Sequence, residues 1–436
     1  MTDRNMALLE RLFALTANGT TVRTEILAGV TTFLTMAYII FVNPSILAQA
    51  GMDFGAVFVA TCIAAAAGSL IMGLYANYPV ALAPGMGLNA YFAFTVVPQF
   101  GGDWRLALGC VFVSGIAFLA LSLSPLREWL VNAIPRSLKY GIGAGIGFFL
   151  ALIGLQNAGI VAAHPVTLVT LGNLGAHGAL LAMAGFVALV ALYFRRVPGA
   201  IMLTIIGVTA AAVLLGLQPL QGVVDMPPSL APTLFEMNIR GAFEMGFVTI
   251  IFVFLLIDLL DTTGTLVSVG QRAGMVDEDG KLPRLRKAMV ADSTATAIGA
   301  ALGTSTTTSY IESTAGIESG GRTGLMAVTV GVLFLASLFL APLAGTVPVY
   351  ATAPALVFVA CLMARSLADM SWDDITEAVP AMVTALAIPL TYSIASGIGL
   401  GIIAYAGIKL ASGRWRDLNL AIAIIAAAFA VKLALQ

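Results

Sequence analysis

The sequence predicts an all-α protein that crosses a membrane many times. Its segments form two inverted halves of seven, with short strands and half-helices in segments 3 and 10. Three observations lead there. Of 436 residues, 59% are hydrophobic and only 10% are charged, and the mean hydropathy is +0.98. A bundle of membrane helices needs that much apolar surface and a soluble chain of this length does not. Apolar stretches of spanning length recur from end to end. Finally, polar or helix-breaking residues interrupt two of these stretches at matching places. The net charge of −1 gives no sign of a nucleic-acid partner.

Taken in order, the N-terminal "MTDRNMALLERLFAL" mixes acids and bases on an amphipathic pattern and has no cleavage-site signature, so it reads as a surface helix. Apolar segments follow at about 23–43, 55–76, 79–97, 105–123, 139–161, 178–194 and 198–217. After a gap come 245–270, 286–302, 304–319, 323–342, 349–367, 377–393 and 395–411, and a further stretch, 417–434, has no assigned topology. With the N-terminus in the cytoplasm, only Arg105, Arg240 and Lys432 of the 21 Lys and Arg fall outside, as the positive-inside bias requires. The gap itself, 218–243, is the most polar long connection and leaves seven segments on each side. An odd number per half inverts the second half relative to the first, and such repeats place their substrate site at the midplane, where discontinuous helices meet.

Two segments read as discontinuous. In "YPVALAPGMGLNAYFAFTVVP" (78–98), the bracketing Pro79 and Pro84 suit an extended strand, and a helix-forming run begins after them. In "GTSTTTSYIESTAGIESGG" (303–321), the Thr/Ser run favours a strand before a short helix that starts near Tyr310. Irregular backbone at membrane depth is tolerated only inside protein or along a watery cavity. A strand from each half, paired with the other, would satisfy those groups. Each half-helix would then direct its free N–H groups at one central point.

Acids at membrane depth cost about 2.5–3.5 kcal/mol on insertion scales and usually face a cavity. Glu312 opens the second half-helix. Asp258 and Asp261 are three apart in "FVFLLIDLLDTTGTLVSVG" and share a helix face, with Thr262 and Thr265 one turn on. Two acids with no base beside them are candidates for proton coupling. Asn89 adds an amide in the first half-helix. Together these groups suit a neutral, planar, hydrogen-bonding ligand. Glu318 reads as interfacial, and Asp292 as an anchor near the cytoplasmic start of its segment. Cys62, Cys110 and Cys361 sit in apolar runs as packing residues, and His164 and His177 resemble no metal site. No cofactor or metal is expected. "GIESGGRT" lacks the strand–loop–helix context of a phosphate loop, and "GIGAGIG" (141–147) reads as a smooth surface for close helix packing. A membrane enzyme would need a nucleophile–base pair or a metal cluster, and a channel would need rings of polar residues along a pore. The pattern favours a carrier.

"TTFLTMAYIIFVNPSIL", "LAPGMGLNAYF", "DLLDTTGTLVSVG" and "STTTSYIESTAGIESGGRTGL" resemble the AzgA-like branch of the nucleobase–ascorbate transporter (NCS2) superfamily, purine permeases for adenine, guanine and hypoxanthine. The resemblance implies a core of segments 1–4 and 8–11 (residues 1–125 and 244–345) and a gate of segments 5–7 and 12–14 (126–217 and 346–436), joined through 218–243. It implies elevator-like import of a purine across the cytoplasmic membrane, a bacterial inner membrane, by a gate-mediated homodimer. Protons are the expected coupling ion and Na⁺ the alternative. Substrate contacts carry over to Glu312, to Asp261 and to the pair Gly87 and Asn89. Asp258 is left for packing or for proton coupling, which Asp261 and Glu312 could share. Backbone N–H groups near Tyr310–Ile311 and Met86–Leu88 would add donors, and Phe33, Tyr38, Tyr91 or Tyr310 would stack on the base. Carriers of xanthine, urate or pyrimidines, and more distantly of inorganic anions, are the rival readings.

Overall fold

A computed structural model describes residues 3–124, 134–244, 248–275 and 282–434. Residues 125–133 and 276–281, which carry part of the expected cytoplasmic charge, lie outside the described residues, as do the domain boundary drawn at 125/126 and the segment start at 245. The helices in chain order are α1 (Asp3–Phe13), α2 (Val22–Met36), α3 (Ile39–Ala48) and α4 (Phe54–Ile71, prolonged by a π-helical turn to Ala76). Strand β1 (Leu82–Pro84) leads into α5 (Met86–Ala90), which runs on through a π-helical stretch into α6 (Val97–Gln99). Next come α7 (Trp104–Leu123), α8 (Arg136–Asn157), a hairpin of β2 (Val161–His164) and β3 (Leu168–Leu171), α9 (His177–Phe194) and α10 (Ala200–Leu214). The second half holds α11 (Ile239–Glu244), α12 (Val248–Arg272), α13 (Leu285–Leu302), β4 (Thr307–Ser309), α14 (Ser313–Glu318), α15 (Gly324–Ala336) and α16 (Ala341–Thr346). The chain closes with α17 (Val349–Ala364), α18 (Ile375–Leu390), α19 (Ile394–Ala411) and α20 (Leu420–Ala434).

Among the described residues, nine helical stretches are long and apolar enough to cross a membrane; α10, α18 and α20 are apolar but shorter. This is a polytopic membrane fold. Three features were not anticipated. The first segment is two helices, α2 and α3, joined at Ala37–Tyr38. The "VAAHPVTLVTL" stretch (161–171) forms a hairpin, because its β-branched residues pair across a turn. His164 Nδ1 receives the N–H groups of Val166 and Thr167 in that turn. The second half-helix begins at Ser313, three residues later than expected, because Tyr310 is still held by the strand pair.

The chain forms two compact units. Unit 1 comprises residues 1–124 and 187–348. At its centre β1 and β4 pair antiparallel in the register Leu82↔Ser309, Ala83↔Thr308 and Pro84↔Thr307. The ladder extends at both ends, where Gly85 N–H donates to Thr306 O and Tyr310 N–H donates to Ala81 O, each at 3.0 Å. The free edge of β1 is closed by hydroxyls. Ser69 Oγ accepts from Leu82 N–H at 2.9 Å and donates to Leu82 O at 3.1 Å, and Ser313 Oγ accepts from Ala81 N–H at 3.0 Å. Residues 304–309 are all buried, so the strand pair satisfies in protein what hydrocarbon could not. Gly73 and Gly324 touch backbone to backbone, and a Cβ on either would overlap the other. Glu25, fully buried, caps α15 by accepting from the N–H groups of Arg322 (2.7 Å), Thr323 (3.2 Å) and Met326 (3.2 Å).

Unit 2 comprises residues 125–186 and 349–436. The "GIGAGIG" glycines let α8 approach its neighbours closely: Gly141 and Gly145 meet Ala381, Ala385 and Ile388 of α18, and Gly147 meets Ala360 of α17. At one end Lys409, 1% exposed, pairs with Glu377 at 2.7 Å and Asp417 at 3.3 Å. Ser137 and Tyr405 donate hydroxyls to the same Glu377. Beside them, hydrogen bonds from Thr376 and Arg414 hold the Asp374 carboxyl at about 2.

Candidate functional site

The strand pair in unit 1 brings four carboxyls into one region. Glu312 sits at the turn between β4 and α14, because the Thr/Ser run ends there and the chain bends into helix. It is partly exposed, and Tyr38 donates its hydroxyl to Glu312 Oε1 at 2.7 Å. Tyr38 can reach it because it occupies the joint between α2 and α3. Ile311, beside Glu312, is 43% exposed, and so is Asp261 on α12 exposed; Asp261 and Glu312 interact electrostatically. This side of unit 1 offers acid acceptors to an open space.

Asp258 behaves differently from Asp261 despite their spacing. Three residues of helix turn about 300°, so the two side chains diverge by roughly 60°. That divergence points Asp258 inward, where it is 1% exposed and Oδ2 accepts from Thr296 at 3.0 Å. Its Oδ1 has no partner among the described residues. A fourth acid joins it. Asp292 on α13, fully buried, accepts from Ser309 at 2.7 Å and from Thr262 at 2.8 Å, and Thr262 also meets Thr308 at 2.9 Å. Asp258 and Asp292 interact electrostatically. Among the described residues no Lys, Arg or His pairs with any of the four acids. Such a cluster can accept N–H donors from a ligand at its exposed edge and hold or pass a proton behind it.

The first half-helix contributes less open chemistry. Asn89 is fully buried, its Oδ1 receives the Ser305 hydroxyl, and its Nδ2 has no partner among the described residues. It ties α5 to the polar run before β4. Met86 and Leu88 are buried and Gly87 partly so, and their first-turn N–H groups have no intrahelical carbonyl to bond. Of the donors expected near Tyr310–Ile311, the Tyr310 N–H is spent on Ala81. The Tyr310 hydroxyl bridges the two breaks by donating to Pro84 O at 2.5 Å. Phe33 packs edge-on against Phe334 at 5.2 Å, and Tyr91 lies tilted against Phe254 at 4.9 Å.

Sequence reasoning missed Asp292 as a member of the cluster. The signal was present: Asp292 and Thr296 are four apart on one helix and both are buried, an unusual pair for a span that faces lipid. It also missed Asn43, whose amide donates to Thr61 at 2.6 Å and to Thr304 at 2.8 Å. Glu318 is exposed and pairs with Arg272 at 3.2 Å, away from the cluster.

The sequence model described as "Permease family" (Xan_ur_permease) matches residues 23–400. The chain is 48% identical to the adenine permease AdeP of Escherichia coli K12 over 426 residues, 98% of this chain and 96% of that protein. It is 46% identical to the guanine/hypoxanthine permease PbuO of Bacillus subtilis 168 over 431 residues, 97% and 99% of the two. By fold it is similar to the transmembrane domain of the cyanobacterial bicarbonate transporter BicA. That match has a TM-score of 0.66 and 17% identity, and covers 86% of this chain and 96% of that one.

Proposed function

The chain belongs to the Xan_ur_permease family, and from that premise we propose that it is a secondary active carrier of purine nucleobases, importing them rather than acting as an enzyme. The observation that carries the reading is the pair of Glu312 and Asp261 at the exposed edge of the acid cluster. A carboxylate accepts from a purine's ring N–H and exocyclic amine, and an unpaired buried donor costs about 1–3 kcal/mol, so the acids would select for ligands that supply donors. The permeases AdeP and PbuO, whose names specify purines, support the substrate class. An inorganic anion would be repelled by the same acids.

In this reading Glu312 and Asp261 bind the base edge, with Asn89, Gly87 and the first-turn N–H groups of Met86–Leu88 behind it. Asp258, together with Asp261 and Glu312, couples transport to protons. Unit 1 supplies the moving core, and helices of unit 2 belong to a gate that supports a homodimer. The fourteen-segment arrangement, elevator motion, cytoplasmic N-terminus and placement in a cytoplasmic membrane complete the proposal.

Glu312→Gln tests it. The variant should reach the membrane and lose purine uptake at least about tenfold, because the amide replaces a charged acceptor. Uptake at the wild-type rate and affinity would remove Glu312 from the site. Coupling is tested in proteoliposomes in sodium-free buffer. Accumulation should collapse on adding a protonophore, whereas a strict sodium requirement would overturn proton coupling.

A further inference from the structure

The long connection between the halves is not a slack tether. Five contacts fasten it to the rest of unit 1. Gln221 N–H donates to Thr346 Oγ1 (3.0 Å), Asp225 N–H to Phe339 O (3.1 Å), Thr233 Oγ1 to Leu302 O (3.0 Å), Phe235 N–H to Ala301 O (2.8 Å) and Asn238 N–H to Arg105 O (2.9 Å). A stretch as long as 215–238 without helix or strand is uncommon in a compact fold unless it has a task. Beside its first part lies an open pocket of about 360 Å³, bounded by the start of α4, by α16 and by residues 221–228. The volume falls within the range of small-molecule sites.

Its chemistry is selective. The rings of Phe54 and Phe58 and the flat faces of Pro228 and Pro342 provide apolar walls. Asp225 and Gln221 provide the polar groups. Asp225 Oδ1 accepts from Met226 N–H at 2.7 Å, and its Oδ2 has no partner among the described residues. The walls are held in place: a Cβ on Gly55 would come within 3.0 Å of Pro228, so the connection is already seated on the first turn of α4. Flat apolar walls with one free carboxylate oxygen and one amide match a planar heterocycle that presents N–H donors.

We propose that this cavity is a second binding site, for a planar nitrogen heterocycle of the class carried at the acid cluster. The inference rests on the purine reading above. In the proposed orientation the cavity lies at the outer end of unit 1, where it would hold a base before the acid cluster receives it.

The test is saturation binding of tritiated hypoxanthine and adenine to the purified full-length protein. Wild type should bind in two classes. Glu312→Gln should keep only the outer class, Asp225→Asn or Gln221→Ala should weaken the outer class at least about tenfold and keep the inner one, and Glu312→Gln/Asp225→Asn should bind neither. Asp225 and Gln221 are exposed, and an unchanged unfolding midpoint would show that their variants fold normally. A single class in wild type that Glu312→Gln abolishes and Asp225→Asn leaves intact would overturn the outer site while sparing the purine reading. Absence of any purine binding to wild type would overturn both. An outer class whose affinity is unchanged by both Asp225→Asn and Gln221→Ala would also overturn the assignment.

Discussion

Tyr38 shows what a single side chain contributes to this site. Its ring is fully buried, and its hydroxyl is aimed at Glu312 across 274 positions of chain, at 2.7 Å from Oε1. The sequence suggested an aromatic face for stacking; the geometry makes Tyr38 a group that holds the acid. Tyr38→Phe keeps the packing and deletes one hydrogen bond to a carboxyl, worth about 1.5–3 kcal/mol where the acceptor is charged. We expect an increase of about tenfold in the KM for purine uptake with the protein still folded, and an unchanged KM would show that the hydroxyl does not position Glu312. Asp292 makes a complementary case. It touches no open space, yet it accepts from Ser309 at the end of β4 and from Thr262 on α12. Asp292→Asn can still accept at Oδ1 but presents N–H groups to one of two hydroxyl partners. Its expected signature is a lower maximal uptake rate and an altered pH profile, with purine binding affinity within about threefold of wild type. A loss of binding with an unaltered pH profile would instead place Asp292 among the substrate contacts. Glu312 was legible as a site residue because an acid beside a hydroxyl run in an apolar chain has few bland explanations. Asp292 was not, because its position in the segment suggested an interfacial anchor and only the fold turns it inward.

The paired strands are the element on which the site depends. Three-residue strands have little stability alone, and β1 and β4 persist because their edges are closed at both ends and along one side. Ser69 closes that side through two bonds to Leu82. Ser69→Ala would leave a buried N–H and a buried carbonyl without their partner, at a cost of about 1–3 kcal/mol. The expected outcome is a lower unfolding midpoint in detergent, restored in large part by Ser69→Thr if the added methyl is accommodated. A midpoint equal to wild type would mean that water replaces the hydroxyl. The strands themselves could be read from the sequence, since prolines bracket one and a β-favouring hydroxyl run forms the other. Their pairing followed from the demand that backbone groups at membrane depth be satisfied inside protein. The joint at Ala37–Tyr38 left no such trace, because no proline or glycine stands at it and the apolar run is continuous. The hairpin at 161–171 was hidden for another reason: it falls almost wholly between the segments 139–161 and 178–194, in a stretch that reads as a loop.

At the scale of the whole molecule, the two units differ in how they treat their clustered acids. Unit 1 gathers Asp258, Asp261, Asp292 and Glu312 with no cation paired to them among the described residues. Unit 2 neutralises its acids: Lys409 pairs with Glu377 and Asp417, and Arg414 pairs with Asp374 at 2.7 Å. Uncompensated acids are costly and persist where a ligand or proton can answer them, whereas compensated ones fix helices in place. Composition and segment counting made the membrane class legible, but this division was not, because Lys409 and Glu377 belong to two different segments, 395–411 and 377–393, and nothing in their spacing pairs them. Lys409→Met follows the contrast through to a measurement. Lys409 is 1% exposed and Glu377 is 25% exposed, so removing the lysine leaves Glu377 without its cation at a cost below the about 3–5 kcal/mol of a pair buried on both sides. The double variant Lys409→Met/Glu377→Gln removes the stranded charge as well and should recover part of that loss. Both variants should lower the unfolding midpoint, the single one more, while the purine KM of the protein that remains folded stays within about twofold of wild type, because no group of the acid cluster has changed. Thermal unfolding read beside uptake kinetics checks this directly. A large change in KM with an unmoved midpoint would mean that the charge network of unit 2 takes part in recognising the base, and the division of labour between the units would have to be abandoned.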